Sequence, residues 1–199
     1  MQDTDGLFHI LMLAAAIALF GITHVVPASP ALKARVKALL GHAYLPAFII
    51  MSVLTTGLVA WLWATAPFIP LYAPPPWGPH VTFLLMFLAF LLFGVFLFPC
   101  RLKRFFRLPF AYVVLLWGTG HLLANGDAAT VTLAAGMMLV AAILLVLALK
   151  NGVRPEARDG LALDLAALLT GTILYLAMAM FHGVLIGVPV LHTIGIDAG

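Results

Sequence analysis

Seven histidines are the residues of this chain best able to do chemistry: His9, His24, His42, His80, His121, His182 and His192. All are set in or beside apolar runs. Neutral imidazole is the usual axial ligand of haem iron in a helix bundle, and it also binds copper and zinc. A b-type haem needs two histidines on different helices at a similar depth and no covalent attachment, and the chain has no C-x-x-C-H. His121 and His182 meet that condition best. Each interrupts an apolar stretch, and each has a glycine beside it, Gly120 or Gly183, that could make room for a flat macrocycle. Copper or zinc on the same pair is the rival metal reading. The only nearby carboxylate is Asp127, which weakens zinc. A histidine at membrane depth also has a structural use, a hydrogen bond across helices, and that reading stays open beside the ligand one.

Such residues need elements to carry them, and composition says which. Of 199 residues, 64% are hydrophobic and 9% charged, and the mean hydropathy is +1.16. A soluble domain carries about 25% charged residues. The expected class is therefore all-α: a polytopic membrane bundle of about six transmembrane helices, with residues 1–199 as a single domain. The formal charge of +3 comes from short basic clusters between apolar runs, so it is a topology signal and excludes nucleic acid as a partner. The single cysteine, Cys100, excludes a disulfide framework, a cysteine-rich zinc site and an iron–sulfur cluster.

The apolar runs are Leu7–Val26, Leu45–Ala64, His80–Phe98, Pro109–Ala124, Thr130–Leu149 and Leu161–Val188. The first follows a leader with Asp3 and Asp5 and no basic residue, so it reads as a retained helix and not a cleaved signal. Pro27 and Pro30 should end it. "ALKARVKALL" after it suggests a short interfacial helix. The fourth run is the shortest. The proline-rich loop Thr65–Pro79 carries no charge and should lie at the membrane surface, anchored by Tyr72 and Trp77. Asn125–Asp127 reads as a tight turn with a left-handed position available, and Asp127 as a possible cap of the fifth helix.

Charge then sets orientation. Lys33/Arg35/Lys37, Arg101–Arg107 and Lys150–Arg158 fall on one side of the alternating spans. The positive-inside rule places both termini outside the cytoplasm, in the periplasm of a bacterial inner membrane. His9, His80, His121 and His182 then share a layer near the outer face, with His24 and His42 near the inner face. Three further features have plain readings. Asp164 should cap its helix, snorkel or pair with Arg158. Gly183 and Gly187 form a G-x-x-x-G pair suited to helix packing. Phe83, Phe87, Phe90 and Phe93 could line a tunnel, although lipid-facing phenylalanine accounts for them as well.

At these same residues the chain resembles the NnrU family of bacterial membrane proteins, over roughly residues 7–186. The likeness is densest in "LLWGTGHLLANGD", Leu115–Asp127, and extends to "APFIPLYAPPPWGPH", Ala66–His80, and "FGITH", Phe20–His24. The resemblance implies an association with denitrification, through nitrite and nitric oxide reduction. It also implies similarity to the 15-cis-zeta-carotene isomerases, membrane proteins that hold a b-type haem and isomerise a carotenoid double bond. Family histidines correspond here to His24 and His121, and more loosely to His182. Where the family often has R-H-P, this chain has Arg107–Leu108–Pro109.

Two functions from different classes follow. One is a haem-b-dependent cis–trans isomerase, or related redox enzyme, acting on a polyene or other membrane lipid. The other is a non-enzymatic accessory protein that partners respiratory denitrification proteins. A transporter is disfavoured by the scarcity of charge within the spans.

Overall fold

The computed structural model describes residues 2–191, and His192 lies outside them. The described residues are helical throughout, apart from connecting segments. The helices are α1 (Gln2–Ala28), α2 (Pro30–Leu40), α3 (Tyr44–Ala64), α4 (Gly78–Leu97), α5 (Pro109–Ala124), α6 (Ala128–Lys150) and α7 (Leu161–Ile186). Five helical stretches are long and apolar enough to cross a membrane: Thr4–Ala28, Pro30–Ala64, Gly78–Leu97, Ala128–Lys150 and Leu161–Ile186. α5 is a shorter apolar helix. Large apolar side chains such as Leu54, Ile173 and Val184 stand exposed along these helices, as lipid-facing residues must. The chain is a multi-pass all-α membrane protein.

The helices group into two compact units. In the first, residues 1–73 and 125–153, α1 packs between α3 and α6. Leu13, Ala16 and Ile17 of α1 meet Val59 and Leu62 of α3 and Val140 of α6. A Cβ on Gly136 would strike Ile17, and one on Gly21 would strike Val140, so α1 and α6 run parallel. α3 runs antiparallel to α1, because His9 bonds to Leu62 while His24 meets Phe48.

The proline loop of this unit docks on the turn before α6. Leu71 N donates to Gly126 O at 2.8 Å, Ala128 N to Ile69 O at 2.8 Å, and the Tyr72 hydroxyl to Asn125 O at 2.7 Å. Burial and the nearby Asp127 charge raise the Tyr72 phenol above its ordinary pKa, which keeps it a donor. Gly126 is needed for close approach and not for a left-handed backbone: its φ is not positive, and a Cβ there would collide with the Tyr72 carbonyl. Asp127 does cap α6, its Oδ1 accepting from Thr130 N at 2.8 Å.

In the second unit, residues 74–124 and the described residues from 154 onward, α5 and α7 both pack on α4. Gly78 faces Leu123, and Thr82 Oγ1 donates to Gly120 O at 2.7 Å. Gly94 faces the Ala167 carbonyl, and Gly171 faces that of Phe90. Both pairings are antiparallel, so α5 and α7 run in the same direction. The missing side chains let the α4 and α7 backbones touch.

Several expectations need correction. Pro27 lies inside α1, which ends at Ala28. Gly183 and Gly187 do not form a helix-pairing surface: Gly183 packs on Pro189, and Gly187 ends α7 with φ 84°. Phe87 and Phe90 do not simply face lipid. They meet Tyr175 of α7 edge-on, at 5.3 and 6.2 Å between ring centroids.

Candidate functional site

The second unit has two polar ends. At one lie the start of α4 and the last turns of α5 and α7. The α4–α5 register, Gly78 with Leu123 and Thr82 with Gly120, puts His121 opposite Pro79–Val81. Continuing the α4–α7 register, Phe90 with Gly171 and Gly94 with Ala167, puts His182 opposite Pro79 as well. The two imidazoles thus stand at one level on either side of α4. His80 shares the level but is exposed.

The ring nitrogens are not equivalent. His121 Nδ1 lies 2.8 Å from Trp117 O, one turn back on α5, and the ring packs on the Trp117 indole at 4.6 Å. His182 Nδ1 lies 2.6 Å from Val188 O, just past the end of α7. A carbonyl can only accept, so in each ring Nδ1 carries a proton. A metal-ligating imidazole makes the same outer hydrogen bond through the nitrogen that does not bind the metal.

His24, in the first unit, has the same arrangement. Its Nδ1 is 2.8 Å from Phe20 O, and its ring stacks on Phe20 at 4.0 Å and meets Phe48 edge-on at 5.7 Å. His9 differs. Its Nε2 donates to Leu62 O at 2.8 Å. That carbonyl loses its usual partner because Ala66 N turns back to Trp63 O at the end of α3. His9 is a helix cap. Pro67, which stops α3, is the sequence signal that a carbonyl there would need a donor.

A haem iron fits the donor set of His121 and His182, since both rings already make through Nδ1 the outer hydrogen bond of a ligating imidazole. The expected notches do not exist. A Cβ on Gly120 would sit 3.1 Å from Thr82 Cγ2 and 3.3 Å from Met86 Cε, so Gly120 makes room for α4. The space beside Gly183 belongs to Pro189, at 3.2 Å. α5 and α7 both pack on α4 and scarcely on each other. No group of three or more His, Cys, Asp or Glu side chains able to hold a metal ion occurs among the described residues, so a zinc site of that kind has no ligand set here. Thr82, which ties α4 to the Gly120 carbonyl next to His121, is a positioning residue the sequence reading missed.

The other polar end holds charge. Asp164, buried in the first turn of α7, pairs with Arg101 Nε and accepts from Leu102 N at 3.3 Å. It does not pair with Arg158, whose guanidinium binds Glu156 at 2.8 Å. Arg104 takes both oxygens of Asp159, at 2.9 and 3.0 Å. The short 3-10 turn Arg101–Phe105 is thereby clamped to the chain leading into α7.

These features define a multi-pass helical membrane protein with two histidines, each held by a backbone carbonyl, at one end of a three-helix unit. The chain belongs to the NnrU family: the model of that family, described as NnrU protein, matches residues 12–190. No curated protein and no solved structure matches it.

Proposed function

We propose that this NnrU-family protein binds b-type haem through His121 and His182 and acts on an unsaturated apolar substrate in the membrane, as a cis–trans isomerase or related redox enzyme. The observation that carries the reading is the pair of imidazoles at one level of α4, each ring oriented by an Nδ1–H bond to a backbone carbonyl, as metal-ligating imidazoles are. When bound, haem supplies an iron able to lend and recover electron density at a double bond. The chain's own residues hold and orient: Trp117 O and Val188 O orient the rings, and Thr82 fixes α5 against α4. The resemblance to carotene isomerases supports the substrate class, a polyene.

Detergent-purified protein should show a Soret band and a b-type pyridine haemochrome, with low-spin oxidised iron as two imidazoles produce. His121→Ala and His182→Ala should each lower haem retention or turn the spectrum high-spin. His24→Ala should leave the spectrum unchanged; its loss of haem would transfer the ligand role to the first unit. A folded protein with no Soret band, and no gain on adding haem, overturns the haem reading and favours the accessory role in denitrification. On wild-type holoprotein, chromatography of a cis-polyene before and after incubation tests the isomerase step.

The membrane we propose is the bacterial inner membrane, with both termini periplasmic. The basic segments at Lys33–Lys37, Arg101–Arg107 and Lys150–Arg158 support it. The helix directions within each unit also agree with strict alternation. A periplasm-dependent reporter fused after Gly199 should be active, and a reporter active only in the cytoplasm would reverse the orientation.

A further inference from the structure

We infer that the charged end of the second unit is a binding groove for an anionic phospholipid. A groove of about 370 Å³ opens beside the 3-10 turn, lined by Arg101, Leu102, Arg104 and Phe105. Arg101 binds Asp164 through Nε, and half of its side chain remains exposed, which leaves its terminal nitrogens for a phosphate. Three basic residues, Arg101, Lys103 and Arg104, lie on this turn, against the two carboxylates of Asp159 and Asp164 that pair with it. The surplus is positive, and it stands where a multi-pass chain leaves the hydrocarbon.

The apolar half of the groove distinguishes a lipid from a free anion. Phe105 is 79% exposed at its rim. Just inside, Phe96 of α4 and Phe110 of α5 meet at 5.2 Å between ring centroids and both expose apolar surface. A headgroup phosphate at the arginines would lead an acyl chain onto that aromatic wall. Lys103 Nζ donates to Phe96 O at 2.6 Å, which closes the end of α4 and holds the wall beside the turn. The clamping of the turn by Asp164 and Asp159 presents these groups in one fixed arrangement, unlike the exposed basic residues of α2. The inference is independent of haem binding.

The test is native mass spectrometry of the detergent-purified full chain with phosphatidylglycerol, with phosphatidylcholine of the same chains, and with inorganic phosphate. Phosphatidylglycerol should be retained in preference to phosphatidylcholine. Arg104→Gln removes one positive charge and uncovers exposed Asp159, and should cut that preference about fivefold. Phe105→Ser should weaken both lipids alike. Lys33→Gln with Arg35→Gln, an equal or larger charge loss on α2, should leave the preference intact. The proposal is overturned if the α2 variant lowers it as much as Arg104→Gln does, if inorganic phosphate displaces the lipid, or if wild type shows no preference. A circular dichroism melt of each variant confirms that it is folded, and Arg104→Lys should restore binding.

Discussion

The two ends of the second unit treat polar atoms in opposite ways. At the charged end, Asp164 is closed by Arg101 and Leu102 N, Arg104 by Asp159 and Arg158 by Glu156. At the histidine end, each imidazole gives Nδ1 to a carbonyl of its own helix or of the segment after it. The first pattern fixes a turn to a helix through charge. The second orients a ring through a single hydrogen bond to a backbone carbonyl. A buried carboxylate that loses its cation is costly, and a ring that loses one such bond is not, so the two ends differ in what they give to stability.

The largest effect should come from breaking the closed end. Arg101→Gln leaves Asp164, whose side chain is 6% exposed, without its cation. Loss of a buried partner should destabilise the protein by about 3 kcal/mol, at the low end of the range because Arg101 itself is half exposed. A denaturant titration in mixed micelles measures this, and a loss under about 1 kcal/mol would make the pair an ordinary surface contact.

Packing next to each end sharpens the contrast. Gly94→Ala drives a methyl into the Ala167 carbonyl, backbone that cannot move aside, and should cost about 3 kcal/mol. Gly120→Ala meets only the tips of Thr82 and Met86, at 3.1 and 3.3 Å. Its cost should be about 1 kcal/mol in the same titration. Equal costs would mean the α4–α5 and α4–α7 contacts are equally rigid.

The smallest change in stability belongs to the histidines. In haem-free protein His121→Ala or His182→Ala removes one side chain–backbone hydrogen bond, about 1 kcal/mol or less. A thermal melt that falls as far as that of Arg101→Gln would make these rings structural and end the contrast.

Much of this architecture was legible because lipid is a demanding solvent. Apolar runs bounded by proline, glycine or charge located α3 through α7 to within a few residues, since a spanning helix must satisfy its backbone internally. α2 was readable from "ALKARVKALL", and the Asp127 cap from its place just before α6. Partner choice was not readable. Arg101 and Arg158 both lie in charged connections near Asp164, and only the tertiary path selects Arg101. Nor does a sequence say which nitrogen of a histidine faces a carbonyl. That distinction separates His9, a cap, from His121 and His182. The roles of Gly120 and Gly126 were misassigned for the same reason: a glycine announces that something comes close, and the structure says what.

One feature of α5 bears on the bilayer itself. Its 16 residues rise about 24 Å, against a hydrocarbon thickness of about 30 Å. The other spans are long enough, so the shortfall is local to one flank of the unit. Where α5 borders lipid, the bilayer must thin, or headgroups and water must dip toward the helix ends. His121 lies in the last turn of α5, at one of those ends. Bilayers of shorter acyl chains should fit this flank without distortion, and thick, sterol-like ones should strain it.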